Sequence, residues 1–323
     1  MSVERRKKRA LAVAGPTCSG KSALAMDLAE RIGGTVINAD SMQVYAELRV
    51  LTARPTPADE ARVPHALYGV RPAAEAGSVA WWRQAALALM DGAHAEGRVP
   101  ILCGGTGLYL ASVTAGLADI PEPGAVARAE ARGLLAEYGA AWLHARLAAE
   151  DPQTAAGLSP ADGQRVARAW EVWRGTGVGL AAWRARAAAR RPEWEVHAIL
   201  LDPPRADLRA AIAQRFVGMV EQGAVAEARA LLALGLDPAL PTMRAHGVPE
   251  LARYLGGEIG LMEAQRLASV ATGQYTKRQA TWFRHRAIAA ETETHRFIAR
   301  YEGQAQLLES VEALNIPVMC RAS

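Results

Sequence analysis

The sequence predicts an α/β protein: a P-loop core with a parallel sheet flanked by helices, joined to an all-helical insertion domain. Short apolar runs suited to buried strands recur between stretches with helical spacing. A complete glycine-rich phosphate-loop motif follows the first of these runs, and a long segment in the middle of the chain has no strand-like pattern. Alternating strands and helices form parallel sheets, which bind ligands at the carboxyl ends of their strands.

The first predicted elements are a strand over residues 10–14 and a helix over residues 23–30, with a phosphate loop between them. The loop matches the pattern G-x-x-x-x-G-K-[ST] and consists of Gly15, Pro16, Thr17, Cys18, Ser19, Gly20, Lys21 and Ser22. Backbone N–H groups and the helix dipole converge on phosphate at such a loop, Lys21 adds a point charge, and the Ser22 hydroxyl can reach Mg²⁺. A polyphosphate site is therefore predicted. The loop alone does not separate kinases, NTPases and transferases with a diphosphate leaving group.

The later strands are predicted from short apolar runs of the same kind. They are predicted over residues 35–39, 99–103 and 197–201, with a long helix over residues 79–96. Because carboxyl ends of parallel strands share one edge of a sheet, we expect Gly15, Asp40 and Gly104 to meet in one crevice.

Asp40 is the candidate general base of this crevice. A carboxylate at a strand end can take a proton from a weakly basic amine, although it can also hold a water on Mg²⁺. Ser41 and Gln43 follow it closely and offer polar groups suited to the edge of a base. Thr106, in the turn Gly104–Tyr109, points its hydroxyl into the crevice, caps the next helix, or does both.

The chain divides into three stretches. Residues 1–117 are the first part of the core, 118–194 a helical insertion, and 195–323 a second, mainly helical part of the core. The segment Pro121–Gly124 indicates a hinge, and Pro192 precedes the return to a strand. In the insertion Trp170, Trp173 and Trp183, like Trp282, are expected in the core. The last thirty or so residues carry no clear signal.

Composition limits the classes of protein to which the chain can belong. In 323 residues with a net charge of +4 there is no apolar run of 18 residues and no leader-like segment, so a protein without a membrane span is expected. Cys18, Cys103 and Cys320 lack a zinc-binding spacing and favour a reducing cytoplasm, with Cys18 as a small apolar filler. The basic run Arg5–Arg9 is interpreted as a solvated tail ahead of the first strand.

Cations in two regions point to anionic ligands. Residues 162–191 carry seven arginines, which makes RNA a candidate partner. Arg215 and the pair Lys277-Arg278 follow the last predicted strand. Most such cations lie on solvated faces, but in phosphate enzymes some close over the leaving group.

Five strings together resemble the tRNA dimethylallyltransferase family, also called tRNA isopentenyltransferases or IPP transferases. They are GPTCSGKS at 15–22, NADSMQVY at 38–45, GGTGLY at 104–109, QRVARAWEV at 164–172 and KRQATWFR at 277–284. The resemblance extends from Gly15 to about Arg286. The second and last strings make it specific.

The resemblance implies transfer of a dimethylallyl group from its diphosphate to N6 of adenosine 37 in tRNA. It implies Asp40 and Thr106 as catalytic residues, the phosphate loop with Arg215 as the diphosphate site, and Mg²⁺ on Ser22. The residues implied to contact tRNA are Asp40, Ser41, Met42, Gln43, Thr106, Gln164, Arg165, Val166, Ala167, Arg168, Arg244 and Arg278.

It further implies a cytoplasmic monomer whose insertion grips the anticodon stem-loop, with no membrane partner. The segment after Arg244 departs from the family pattern, since Ala245-His246-Gly247-Val248 stands where many relatives have Gly-Tyr and a polar pair. Three alternatives stay open: a small-molecule kinase using ATP, a dimethylallyltransferase acting on free adenylate, and a non-catalytic RNA-binding module.

Overall fold

A six-stranded parallel sheet organises the larger unit of the chain, in a computed structural model that describes residues 8–187 and 193–313. In spatial order its strands are β3 (His65–Ala66), β2 (Gly34–Asn38), β4 (Val99–Gly104), β1 (Lys8–Ala14), β5 (Trp194–Leu201) and β6 (Thr294–Phe297). The predicted α/β class is confirmed. The sequence did not predict β3 and β6, which form the two edges of the sheet.

The central strands are apolar because both faces of the sheet are covered. In β1, Val13 pairs with Cys103 on one side and with Ile199 on the other. One core cluster includes Trp82, and the opposite one includes Leu24 and Leu28, each of them fully buried.

Helices of the larger unit cover these faces and extend beyond the sheet. They are α1 (Lys21–Ile32), α2 (Pro57–Arg62), α3 (Val79–Ala95), α4 (Gly107–Thr114), α9 (Arg205–Glu221), α10 (Ala224–Ala233), α11 (Val248–Leu255), α12 (Leu261–His285) and α13 (Gln304–Ala313). A third core cluster joins helices α9 to α12 to the loop around Leu48 and Leu51.

The second compact unit spans residues 115–192, and its described part is helical throughout. Its helices are α5 (Ala125–Glu150), α6 (Pro152–Ala155), α7 (Gly163–Thr176) and α8 (Leu180–Ala187). Trp170 is buried in its core, and Trp173 and Trp183 pack against that core, as predicted. Helix α5 kinks at Gly139, whose φ of 80° is outside the helical region.

The unit boundaries differ slightly from the predicted ones at 117/118 and 194/195. Trp194 belongs to β5 because its backbone pairs with Lys8, so it does not close the insertion. Lys8 and Arg9 likewise lie inside β1 and not in a tail ahead of it. The predictions for Arg5–Lys7, Pro192 and Cys320 fall outside the described residues. Within the described ranges, no helix is long and apolar enough to cross a membrane.

Candidate functional site

A cavity of about 370 Å³ opens at the carboxyl edge of the sheet, entirely within the larger unit. Three kinds of wall meet in it: the phosphate loop, the turn after β2, and apolar side chains of α9. Its lining residues are Thr17, Cys18, Gly20, Lys21, Ser22, Ala23, Asp40, Met42, Gln43, Leu51, Thr52, Ala53, Ala211, Ile212, Arg215, Phe216, Met219, Ala245, His246, Thr272, Tyr275 and Arg300.

The phosphate loop presents an uncapped helix end. Helix α1 begins at Lys21, and Gly20 precedes it with a φ of 90° and no side-chain cap. The first N–H groups of such a helix lack intrahelical acceptors, so they can bind an anion along the positive end of the helix dipole. Cys18 also has a positive φ, 67°, which gives the loop its curvature.

Gln279 of α12 fixes this loop to the turn after β4. Its side-chain oxygen accepts from the Thr17 N–H at 2.9 Å, and its amide nitrogen donates to the Gly105 carbonyl at 3.0 Å. Gln279 is buried, so both bonds are shielded from water. In the sequence this segment stood out for its cations and as one of the strings that resemble the family, and no role followed for Gln279. A single glutamine within a helix has no characteristic spacing from which contacts with two distant loops could be predicted.

Asp40 is half-buried at the end of β2, and hydrogen bonds hold it on both sides. Its N–H donates to the Asn38 side chain at 2.8 Å, and its Oδ1 accepts from the Met42 N–H at 2.9 Å. Asn38 is fully buried, and its carbonyl accepts from the Trp82 indole at 2.7 Å. The carboxylate therefore has a fixed direction at the wall of the cavity.

Thr106 and Ser41 hold each other next to Asp40 and are not part of the cavity wall. The Thr106 hydroxyl accepts from the Ser41 N–H at 2.9 Å, while the two hydroxyls lie 3.3 Å apart. Thr106 also directly precedes α4, in the turn predicted for it, and its hydroxyl contacts Ser41 without lining the cavity. Gln43 lines the cavity, but its amide nitrogen donates to Thr52 and Ala53 carbonyls at 2.9 and 3.0 Å. A contact of Gln43 with a base would use the amide oxygen.

Tyr275 and His246 form an aromatic part of the wall that the sequence did not predict as a site. Their ring centroids lie 5.0 Å apart. Burial raises the pKa of Tyr275 above its ordinary value, and the Asp40 charge acts in the same direction. Burial lowers the pKa of His246 and so favours its neutral imidazole.

The candidate cationic side chains lie in different surroundings, some on the cavity and some exposed outside it. Arg215 lies on the cavity, with a guanidinium nitrogen 3.5 Å from the Cys18 sulfur. Arg278 is exposed and stacks over the Tyr275 ring at 5.6 Å. Arg244 is exposed, does not line the cavity, and donates to the Ala239 carbonyl. Arg300, from the segment given no function in the sequence, lines the cavity.

In the insertion, α7 carries the residues implied to contact tRNA. Gln164, Arg165 and Arg168 are exposed. Val166 and Ala167 are buried in the core of the helical unit, at 0% and 7% exposure. Helical periodicity turns these two side chains inward, so their contact with tRNA stays a prediction that would have to use the backbone.

The two described cysteines differ in their surroundings. Cys18 is half-exposed on the cavity wall. Cys103 is buried at the end of β4, and burial raises the pKa of its thiol to about 11.

Donors for a cation are few. Among the described residues, no three His, Cys, Asp or Glu side chains cluster as a metal site. Ser22 and Asp40 nevertheless line one cavity with oxygen donors. This set fits Mg²⁺, which takes few protein ligands and keeps waters and phosphate oxygens.

Comparisons with known proteins agree with this geometry. A family model described as IPP transferase matches residues 43–286, and one described as isopentenyl transferase matches residues 8–67. The chain is 59% identical over 304 residues to a tRNA dimethylallyltransferase of Granulibacter bethesdensis, over 94% of this chain and 95% of that protein. It is 59% identical over 303 residues to a tRNA dimethylallyltransferase of Gluconobacter oxydans, over 94% and 91%.

Two solved structures are similar over nearly the whole chain. The full-length tRNA isopentenylpyrophosphate transferase of Bacillus halodurans has a TM-score of 0.67 and 32% identity, over 96% of this chain and 97% of that one. A eukaryotic dimethylallyltransferase acting on tRNA has a TM-score of 0.81 over 97% of this chain and 81% of that one. Its identity of 22% limits that likeness to the fold.

Proposed function

The chain belongs to the IPP transferase family, and on that premise we propose that it transfers a dimethylallyl group from dimethylallyl diphosphate to N6 of adenosine 37 in tRNA. It is an enzyme of the prenyltransferase class. The products are N6-dimethylallyladenosine in the tRNA and free diphosphate.

One observation carries the proposal: an anion cradle, an apolar surface and a carboxylate line the same cavity. The phosphate loop supplies the cradle, Ile212, Phe216 and Met219 supply the apolar surface, and Asp40 supplies the carboxylate. A kinase uses a phosphate cradle and a carboxylate base, whereas a prenyl donor also needs the apolar surface beside them. The cavity volume of about 370 Å³ suits a small donor beside a single base.

In the proposed reaction the allylic C1–O bond breaks, and its electron pair leaves with the diphosphate. The N6 lone pair forms the new C–N bond, and the N6 proton passes to Asp40. Charge builds up on the diphosphate as the bond breaks, so loop N–H groups, Lys21 and Arg215 stabilise the transition state more than the ground state. The adenine amine is a weak nucleophile because its lone pair is delocalised into the ring. Removal of its proton by Asp40 prevents charge from accumulating on nitrogen.

The neighbours of Asp40 support this role by keeping the carboxylate in place. The Met42 N–H binds Oδ1, which leaves Oδ2 to receive the proton. Thr106 holds the Ser41 backbone at 2.9 Å and thereby the turn that carries Asp40, so we assign it a positioning role. Tyr275, Met42 and Gln43 line the cavity. We propose that they contact the adenine once it has left the base stack, Gln43 through its amide oxygen.

Ser22 would hold a Mg²⁺ ion together with diphosphate oxygens and water. When bound, the cation neutralises part of the charge on the leaving group.

The insertion is proposed to grip the anticodon stem-loop through Gln164, Arg165 and Arg168, which are exposed on α7. Arg278, exposed on α12, is proposed as a further contact with tRNA. We propose that the enzyme acts as a monomer. Arg244 is exposed and does not line the cavity, so it is proposed as a contact with tRNA away from the adenine.

Nucleoside mass spectrometry tests the reaction directly. Purified protein and Mg²⁺ are incubated with an unmodified tRNA transcript and dimethylallyl diphosphate, with ATP as the donor in a parallel reaction. A mass gain of one dimethylallyl group on adenosine 37, absent with ATP, supports the proposal. Modification of free AMP in place of tRNA would favour a free-nucleotide acceptor, and phosphate transfer from ATP alone would favour a kinase.

A further inference from the structure

We propose that Arg300 is a third diphosphate-binding cation, which faces the phosphate loop from the segment after β6. The identity of the ligand rests on the proposed function. The position of Arg300 rests on its own contacts with the loop.

The segment after β6 crosses directly over the phosphate loop. The Arg300 Nε donates to the Cys18 carbonyl at 3.0 Å, and the Tyr301 N–H donates to the Ser19 carbonyl at 2.9 Å. The Tyr301 hydroxyl donates to Asp27 Oδ2 on α1 at 2.6 Å. A Cβ added to Gly20 would lie 2.8 Å from the Tyr301 Cβ, so the two backbones are in close contact. Two residues of this segment are thus tied to the loop and to the helix that follows it.

The guanidinium is oriented and also available. Only its Nε is used by Cys18, and Arg300 lines the cavity. The two terminal nitrogens supply paired donors, a geometry that matches two oxygens of one phosphate. Among the described residues no carboxylate lies within 4.0 Å of this guanidinium, in contrast to Arg296, which pairs with Asp202 at 2.9 Å.

The charge of the cavity wall calls for an anion. Among the described residues, Lys21, Arg215 and Arg300 line it, against the single carboxylate of Asp40. The bound Cys18 carbonyl is neutral, so it does not compensate the Arg300 charge. A diphosphate in the loop would meet cations from α1, from α9 and from the segment after β6. We therefore expect Arg300 to bind both the donor and the leaving diphosphate.

Calorimetric titration of the full chain with inorganic diphosphate in Mg²⁺ buffer measures this contact without catalysis. Arg300→Gln keeps a neutral donor and removes the charge, Arg300→Lys keeps the charge, and Arg296→Gln on the adjoining strand β6 is the matched control. Charged hydrogen bonds predict a loss of about 10- to 100-fold in diphosphate affinity for Arg300→Gln, a smaller loss for Arg300→Lys and none for the control. The KM for dimethylallyl diphosphate should rise in the same order.

Two results would overturn the inference. One is wild-type diphosphate affinity in Arg300→Gln. The other is an equal loss of diphosphate affinity in Arg300→Gln and Arg300→Lys together with a lowered melting temperature. That result would show that Arg300 stabilises the fold and that its charge does not bind diphosphate. The outcomes separate this inference from the proposed function. If the wild-type chain binds diphosphate through Arg300 but modifies no tRNA, the proposed function fails and the Arg300 site stands.

Discussion

The side-chain oxygen of Gln279 accepts a hydrogen bond from the Thr17 backbone at 2.9 Å, across 262 positions of sequence. The same amide donates to Gly105. One glutamine of α12 therefore sets the spacing between the phosphate loop and the turn that leads to Thr106. A Cβ added at Gly105 would lie 2.1 Å from the Gln279 nitrogen, so glycine at 105 is what allows this approach.

Replacing Gln279 with leucine should uncouple the two loops. The Thr17 N–H and the Gly105 carbonyl would lose their partner in a buried site, which costs about 1–3 kcal/mol. Urea unfolding should report that loss of stability, and turnover should fall along with it. Gln265→Leu on the same helix is the control, because that side chain is only half-buried and lies outside the cavity. Equal stability of the two variants would contradict a coupling role for Gln279.

Asp40→Asn should separate chemistry from binding. The asparagine keeps the size and can still accept from the Met42 N–H, but it cannot take the N6 proton. Single-turnover rates should fall by about 10²–10⁴-fold, whereas calorimetric binding of diphosphate should change little. Asp91→Asn, which removes only a surface pair with Lys8, serves as the matched control. Near-normal turnover in Asp40→Asn would remove Asp40 from the role of base.

Short sequence patterns predicted the central elements of this protein, but they did not predict contacts between residues that are far apart in the sequence. Strand β1, the phosphate loop and Asp40 could be predicted because an apolar run and fixed spacings specify them within a few residues. The edge strand β6 and Arg300 could not, since β6 has four residues and takes its place by pairing with β5. Val166 belongs to a string that resembles the family, and that string does not reveal that its helical phase buries the side chain.

Thiol labelling should distinguish the two described cysteines. Cys18 is half-exposed on the cavity, while the Cys103 pKa of about 11 leaves about one thiolate in a thousand at pH 8. We expect iodoacetamide to modify Cys18 much faster than Cys103, as read from peptide mass spectra. Inorganic diphosphate with Mg²⁺ should protect Cys18. Labelling of Cys18 that is unaffected by diphosphate would place the anion elsewhere.

Arg165→Ala combined with Arg168→Ala should weaken tRNA binding and reduce its dependence on salt. Arg165 pairs with Asp162, which caps the start of α7, and Arg168 pairs with Glu171 on α7. Such exposed pairs contribute little to stability. Loss of two phosphate contacts should lower the slope of log Kd against log salt by about 1–2. Arg266→Ala, which breaks a similar pair with Glu263 on α12, is the control. An unchanged slope in the double variant would contradict the insertion as the grip on tRNA.

His246 should make the folded state less stable in mild acid. Burial lowers its folded-state pKa below the ordinary value of 6.5, and Arg278 adds to that shift, while Glu250 and Asp40 oppose it. In the window between the lowered pKa and 6.5 the unfolded chain binds more protons, so stability rises with pH there. The contribution of neutral His246 to the free energy of unfolding is complete above pH 6.5 and is lost as the pH falls through this window.

Chemical denaturation at several pH values tests this sign. The stability difference between the wild type and His246→Asn should shrink as pH falls below about 6.5, because asparagine does not titrate. His295→Asn is the control, since that imidazole is paired with Glu309 at 3.1 Å, away from the cavity. If the difference for His246→Asn grew in acid, the imidazole would be protonated in the folded cavity. It would then act as a further cation beside Tyr275, not as a neutral part of the adenine wall.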